Sequence, residues 1–120
     1  MRIAVPSDTA DGLLSMRSGH FGHCAYFTIC TIEDGKIVNT ESVKNVDHDA
    51  VGCGGVIDYA LSLNLDGIIA AGMGMPPFMR FTEGGLDVYI DQVHPLAGDA
   101  VRALIEGNVP RMDPSQVCRH

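Results

Sequence analysis

The chain has 120 residues, 46% of them hydrophobic, with 8 Lys and Arg against 15 Asp and Glu and a formal net charge of −7. That length makes one domain with enough surface to bury a self-standing core, and the apolar share excludes a disordered chain. The acidic balance excludes nucleic acid and anionic membrane as favoured partners, because both reward Lys and Arg.

Met1-Arg-Ile-Ala-Val-Pro6 reads as a short strand, not as the charged head and apolar body of a signal segment. No run reaches the length of a membrane span. A soluble cytoplasmic protein is expected, with Cys24, Cys30, Cys53 and Cys118 reduced. None of the four forms a Cys-x-x-Cys pair, so zinc-ribbon and thioredoxin readings lose their main support.

Ile3-Ala-Val5 is apolar on both faces and suits a central strand ended by Pro6. The polar stretch from Ser7 to His23 is too long for a hairpin turn, and long loops in compact domains are often functional. Within it, Ser18-Gly-His-Phe-Gly-His-Cys24 is the densest group of soft-metal ligand types in the chain. Tyr26 to Glu33 is a second strand, Asp34-Gly35 a hairpin turn, and Lys36 to Val43 a polar edge strand.

A second ligand-rich loop, Asn45 to Gly55, is expected to open a helix from Val56 to Asn64. Gly67 to Ala71 is another central strand, ended by Gly72-Met-Gly-Met-Pro-Pro77. A short helix then holds Phe78, Met79 and Phe81 and stops at Gly84-Gly85. Asp87 to Ile90 is the last strand. A final helix starts near Pro95, carries Leu96, Ala100, Val101, Leu104 and Ile105, and is capped by Gly107. Residues 108–120 lack a period and are expected to form a loosely ordered tail after a domain of residues 1–107.

The hairpin makes the second strand antiparallel, and the later crossovers must be right-handed and parallel. The simplest result is an α/β fold with a five-stranded mixed sheet of order 3-2-1-4-5 and three helices on both faces, the ribonuclease H-like motif. Ligands of open α/β sheets bind beyond the carboxyl ends of the parallel strands. This topology brings His20, His23, Cys24, His48, Cys53, Met73, Met75 and His94 to that edge. Imidazole, thiolate and thioether donors together suit zinc, copper(I) and metal-sulfur clusters. Gly52, Gly54 and Gly55 before one helix, with Gly72 and Gly74 before another, would offer backbone N–H groups to an anionic ligand.

Each residue also has a plainer reading. Gly19 and Gly22 could make a turn whose histidines bond to backbone. Cys24, beside Tyr26 and Phe27, suits the core as well as a ligand set. Cys30 in mid-strand is core. Cys53 among glycines favours a ligand or reactive thiol. Met73 and Met75 favour packing over a thioether contact. His48 reads as a turn residue and His94 as a helix cap. Asp8 lacks the companion carboxylates of a two-metal nuclease site, and neither glycine loop completes a dinucleotide or P-loop motif.

Four pieces carry a family resemblance: Arg2-Ile-Ala-Val-Pro6; Ser18-Gly-His-Phe-Gly22 followed by Tyr26-Phe27; Asp66-Gly67 with Gly72-Met-Gly74; and Gly85-Leu-Asp-Val88. In this order and spacing, over residues 1 to about 107, the chain resembles the dinitrogenase iron-molybdenum cofactor biosynthesis family, which includes nitrogenase accessory cofactor carriers and the molybdenum-copper orange-protein group. The resemblance implies a ribonuclease H-like fold and no catalysis. It also implies binding or transfer of an iron-molybdenum, iron-sulfur or molybdenum-copper cluster, in exchange with a cluster-donor or cluster-acceptor protein. His20 stands at the histidine of the family's His-Phe-Gly element. His23-Cys24, the Val51-Gly-Cys-Gly-Gly55 loop, and Cys118 and His120 are this chain's own.

The expected metal ligands are therefore His20, His23, Cys24 and Cys53. Gly52, Gly54, Gly55, Gly72, Met73, Gly74 and Met75 are expected to contact the bound group. The expected state is a monomer or weak homodimer. A mononuclear zinc or copper protein for storage or sensing is the alternative. A metal-free interaction or regulatory module is the third reading.

Overall fold

The computed structural model describes residues 1–19, 21, 23–46 and 48–112, with residues 48–53 described by their backbone alone. Strand β1 (Arg2–Ser7) lies at the centre of a five-stranded sheet. It pairs antiparallel with β2 (Tyr26–Glu33), which pairs antiparallel with β3 (Lys36–Lys44). On its other side β1 runs parallel to β4 (Gly67–Ala70), which runs parallel to β5 (Asp87–Ile90). The sheet order is 3-2-1-4-5, as the sequence predicts. Pro6, which has no N–H to donate, sits beyond Ala4, the last β1 residue in register with β4.

The period of two along the strands sorts their side chains into two cores. Ala4, Phe27, Ile29, Ile68 and Val88 face one way and meet helices α1 (His48–Leu61) and α2 (Met75–Glu83) through Val56, Ile57, Ala60, Phe78 and Phe81. Ile3, Val5, Cys30, Ile32 and Ile69 face the other way and meet helix α3 (Ala97–Ile105) through Ala97, Ala100 and Val101. The hairpin between β2 and β3 turns at Asp34 and Gly35, with φ of 53° and 74°, the doubly left-handed pair that tight hairpins use.

One expectation is corrected. The first helix begins at His48, not at Val56, so Gly52, Cys53, Gly54 and Gly55 lie inside α1 rather than in a loop ahead of it. Helix interiors with glycine cost about 1 kcal/mol per residue against alanine, and here tertiary contact overrides that preference. The carbonyl of Gly54 accepts a hydrogen bond from Arg80 Nη1 of α2 at 3.4 Å. Arg80 also pairs with Asp58, one turn further along α1. The start of the tail also pairs with the sheet. Residues 109–112 return along the outer side of β5: Ile90 N–H donates to Pro110 at 3.0 Å and Met112 N–H donates to Val88 at 2.7 Å. Val109 and Met112 are buried, one in each core. Residues 113–120, with Cys118 and His120, lie outside the described residues.

Among the described residues, no helix is long and apolar enough to cross a membrane.

Candidate functional site at the carboxyl edge of the sheet

Strands β1, β4 and β5 all end at one edge of the sheet, where β2 begins opposite Ser7. The long connection from β1 to β2 returns to this edge. Ser7 and Arg17 form a bridge, and Ser18 N–H donates to the Pro6 carbonyl at 2.8 Å. Ser18 is therefore held at the end of β1, where the ligand-rich stretch starts. Phe21 is buried and meets Phe81 of α2 edge-on, with centroids 5.6 Å apart and planes at 73°. That contact fixes the stretch to α2. His23, two residues later, is exposed. His20 and Gly22 lie outside the described residues.

Cys24 turns inward. It is 4% exposed and belongs to the core formed with α1 and α2. Its thiol donates to the Phe21 carbonyl at 3.1 Å and accepts from Asn45 Nδ2 at 3.5 Å. The same Nδ2 donates to the Cys24 carbonyl at 3.0 Å, while Asn45 Oδ1 accepts from Val46 N–H at 2.8 Å. Buried Asn45 thus stitches the start of β2 to the end of β3. Burial pushes the Cys24 thiol up to about 12, against hydrogen bonds that pull the other way. The geometry places Cys24 in the core, as its plainer reading expects. Cys30 is likewise buried, with its pKa raised by burial.

The end of β4 carries the second group. Met73 is buried in the core and packs, as its plainer reading expects. Gly74 is the N-cap of α2 and makes no side-chain cap bond, and proline occupies the first positions of the helix. Met75 at the helix start and Met79 one turn later are both exposed. Gly72 and Gly74 are half-buried. At Gly72 and Gly74 the N-terminal anion reading is left with few donors, because Pro76 and Pro77 of α2 have no N–H. Gly52, Gly54 and Gly55 sit inside α1 rather than ahead of it. The side chains of His48 and Cys53 lie outside the described set.

The third contribution comes from the connection between β5 and α3, where the sequence reading placed His94 but missed Asp91. Asp91 is a buried carboxylate. Its oxygens accept from Val93 N–H at 3.2 Å, His94 N–H at 3.3 Å and His94 Nδ1 at 3.1 Å. Arg17 lies against it, with Nε 3.8 Å from Asp91 Oδ2 and donating at 2.8 Å to the His94 carbonyl. His94 is accordingly a partner of Asp91 rather than a cap of α3, whose N-cap is Leu96. An aspartate directly after a strand, bonding backbone two and three residues on, is a turn former recognisable in sequence. Its pairing with an arginine 74 positions away is not.

Among the described residues, no three of His, Cys, Asp and Glu stand close enough to hold a metal ion. A groove of about 660 Å³, lined by Leu13, Ile37, Thr40, Arg102 and Ile105 among others, lies at the opposite end of the sheet, beside the β2–β3 turn.

A sequence model of the family described as dinitrogenase iron-molybdenum cofactor matches residues 1–107. The uncharacterized protein MJ0580 of Methanocaldococcus jannaschii is 28% identical over 115 residues, which covers 94% of this chain and 92% of that one. The crystal structure of PH0822 superposes with a TM-score of 0.79 at 26% identity, covering 93% of this chain and 96% of that one. The apo form of the orange protein from Desulfovibrio gigas superposes with a TM-score of 0.76 at 20% identity, over 92% of each chain, and so shares the fold.

Proposed function

We propose, from the premise that this chain belongs to the dinitrogenase iron-molybdenum cofactor family, that it is a non-enzymatic carrier that binds a metal-sulfur cluster as cargo and passes it to a partner protein. The observation that carries the reading is the family match itself, which spans residues 1–107 and so includes every loop of the carboxyl edge. The chemistry of that edge is compatible with it. A preassembled cluster brings its own bridging sulfides and needs few protein ligands, whereas a bare zinc ion takes three or four. The described donors are few, exposed His23 and exposed Met75, with Gly72 and Gly74 beside them. His20 and Cys53 complete the proposed ligand set. A cluster held by few protein bonds at an exposed edge is suited to transfer. The net charge of −7 favours a protein acceptor over nucleic acid.

The test is anaerobic isolation from the native host, followed by metal analysis and a visible spectrum. Charge-transfer bands with iron, or with molybdenum and sulfide, are expected. One colourless equivalent of zinc would support the mononuclear reading instead. A metal-free protein that takes up neither zinc nor a reconstituted cluster overturns both. The double variant His20→Ala/Cys53→Ala should lose uptake, and unchanged uptake removes these two residues from the site.

A further inference from the structure

The ligand-rich stretch is anchored not only to β1 but also to the β5–α3 connection on the far side of the sheet edge. Arg17 immediately precedes Ser18. Its backbone N–H donates to the Pro95 carbonyl at 2.7 Å, and Ala97 N–H donates back to Ser15 at 2.9 Å. Met16 and Leu96 form a bridge between the two segments. The Arg17 side chain, 10% exposed, spans the same junction: Nε reaches the His94 carbonyl and the Asp91 carboxylate. An arginine so enclosed is expensive to desolvate unless paired, and Asp91 supplies the pairing charge. Asp91 in turn is held by Val93 N–H, His94 N–H and His94 Nδ1. One buried ion pair therefore ties the residue before Ser18 to the last loop of the sheet.

We infer that Arg17 and Asp91 are positioning residues for cargo binding: their buried pair sets where Ser18, Phe21 and Cys24 stand relative to the ends of β4 and β5. The inference rests on the carrier reading for its functional consequence, but its structural half is measurable without cargo. Ser18 N–H and Arg17 N–H, bonded to Pro6 and Pro95, report the two anchors separately. Loss of the ion pair frees the second anchor, while Ser18, Phe21 and Cys24 keep their own contacts.

The experiment compares wild type, Arg17→Gln, Asp91→Asn and Arg17→Lys by amide hydrogen exchange and by anaerobic cluster reconstitution with ferrous iron and sulfide. Arg17→Gln leaves Asp91 bonded to its three local donors, so the fold persists; Arg17→Lys restores the charge. Exchange at Arg17 and Ala97 should rise at least roughly tenfold in Arg17→Gln while the buried amides of Ile68 and Ile69 stay unchanged, the pattern of local rather than global opening. Cluster affinity should fall roughly tenfold, the usual scale for groups that orient metal ligands, with partial rescue by Arg17→Lys and a loss in Asp91→Asn. Unchanged exchange at Arg17 and Ala97 overturns the inference. So does full cluster affinity in a variant whose loop has loosened. Wild-type protein that takes up no cluster overturns the carrier reading instead, and the exchange data still decide whether the latch exists.

Discussion

Replacing Cys24 with alanine separates a core thiol from a cluster ligand. The thiol is raised from 9.0 to about 12 by burial, which lowers its thiolate population at any neutral pH about a thousandfold relative to a free cysteine. Because the folded value lies above the unfolded one, this group's contribution to stability is fully present below about pH 9 and is lost as pH climbs towards 12. At pH 10 the unfolded chain has given up its proton and the folded one has not, so wild type should be weaker by roughly 1 kcal/mol than at pH 7 from this group alone. Cys24→Ala removes that dependence, at a pH-independent cost of about 1–2 kcal/mol for the lost sulfur and its bond to Phe21. Urea unfolding of both proteins at pH 7 and pH 10 measures the difference. The two stabilities should approach each other at the higher pH, with Cys30 common to both. Cluster uptake should be unaffected. Parallel pH dependences, or a folded Cys24→Ala that no longer takes up cluster, would refute the assignment of Cys24 to the core.

Gly98→Ala should destabilise the protein by about 1–3 kcal/mol in urea unfolding, because the new Cβ would stand 2.8 Å from the Leu13 carbonyl oxygen and 2.9 Å from Leu13 Cβ. A chain ending at Gly107 should be less stable than one ending at Met112 by about 3–5 kcal/mol, from the lost burial of Val109 and Met112. It should also self-associate, since the outer side of β5 is uncovered. Light scattering checks the second effect, and equal behaviour of the two chains would contradict the tail's role.

The fold was legible where local chemistry and long-range packing agree. Asp34-Gly35 can make a tight hairpin from its own conformational preferences, and β2 ahead of it sends Phe27 and Ile29 to one core and Cys30 and Ile32 to the other. The start of α1 was not legible, because Gly52, Gly54 and Gly55 read as loop while the contact that favours helix, Arg80 on Gly54, comes from a residue of α2. Residues 109–112 carry no period of their own; the outer hydrogen-bonding side of β5 decides their conformation. At the edge, the position of the ligand-rich stretch followed from topology. The inward turn of Cys24 depends on Asn45 and Phe21, and the Arg17–Asp91 pair joins residues 74 apart. Neither leaves a mark on sequence spacing.

The connection from β1 to β2 also has a mechanical consequence. Ser18 bonds back to Pro6, Ser7 bridges to Arg17, and Asp8 N–H donates to Met16 at 2.8 Å, so the segment between them is a closed ring with its feet clasped on β1. Its apex, the 3₁₀ turn Gly12–Leu14, leans on α3 through Leu13. A residue added between Thr9 and Asp11 would be absorbed within the ring and would not be passed on to Ser18. The ring thereby insulates Ser18 mechanically from changes of length near the apex, although only a few residues separate them.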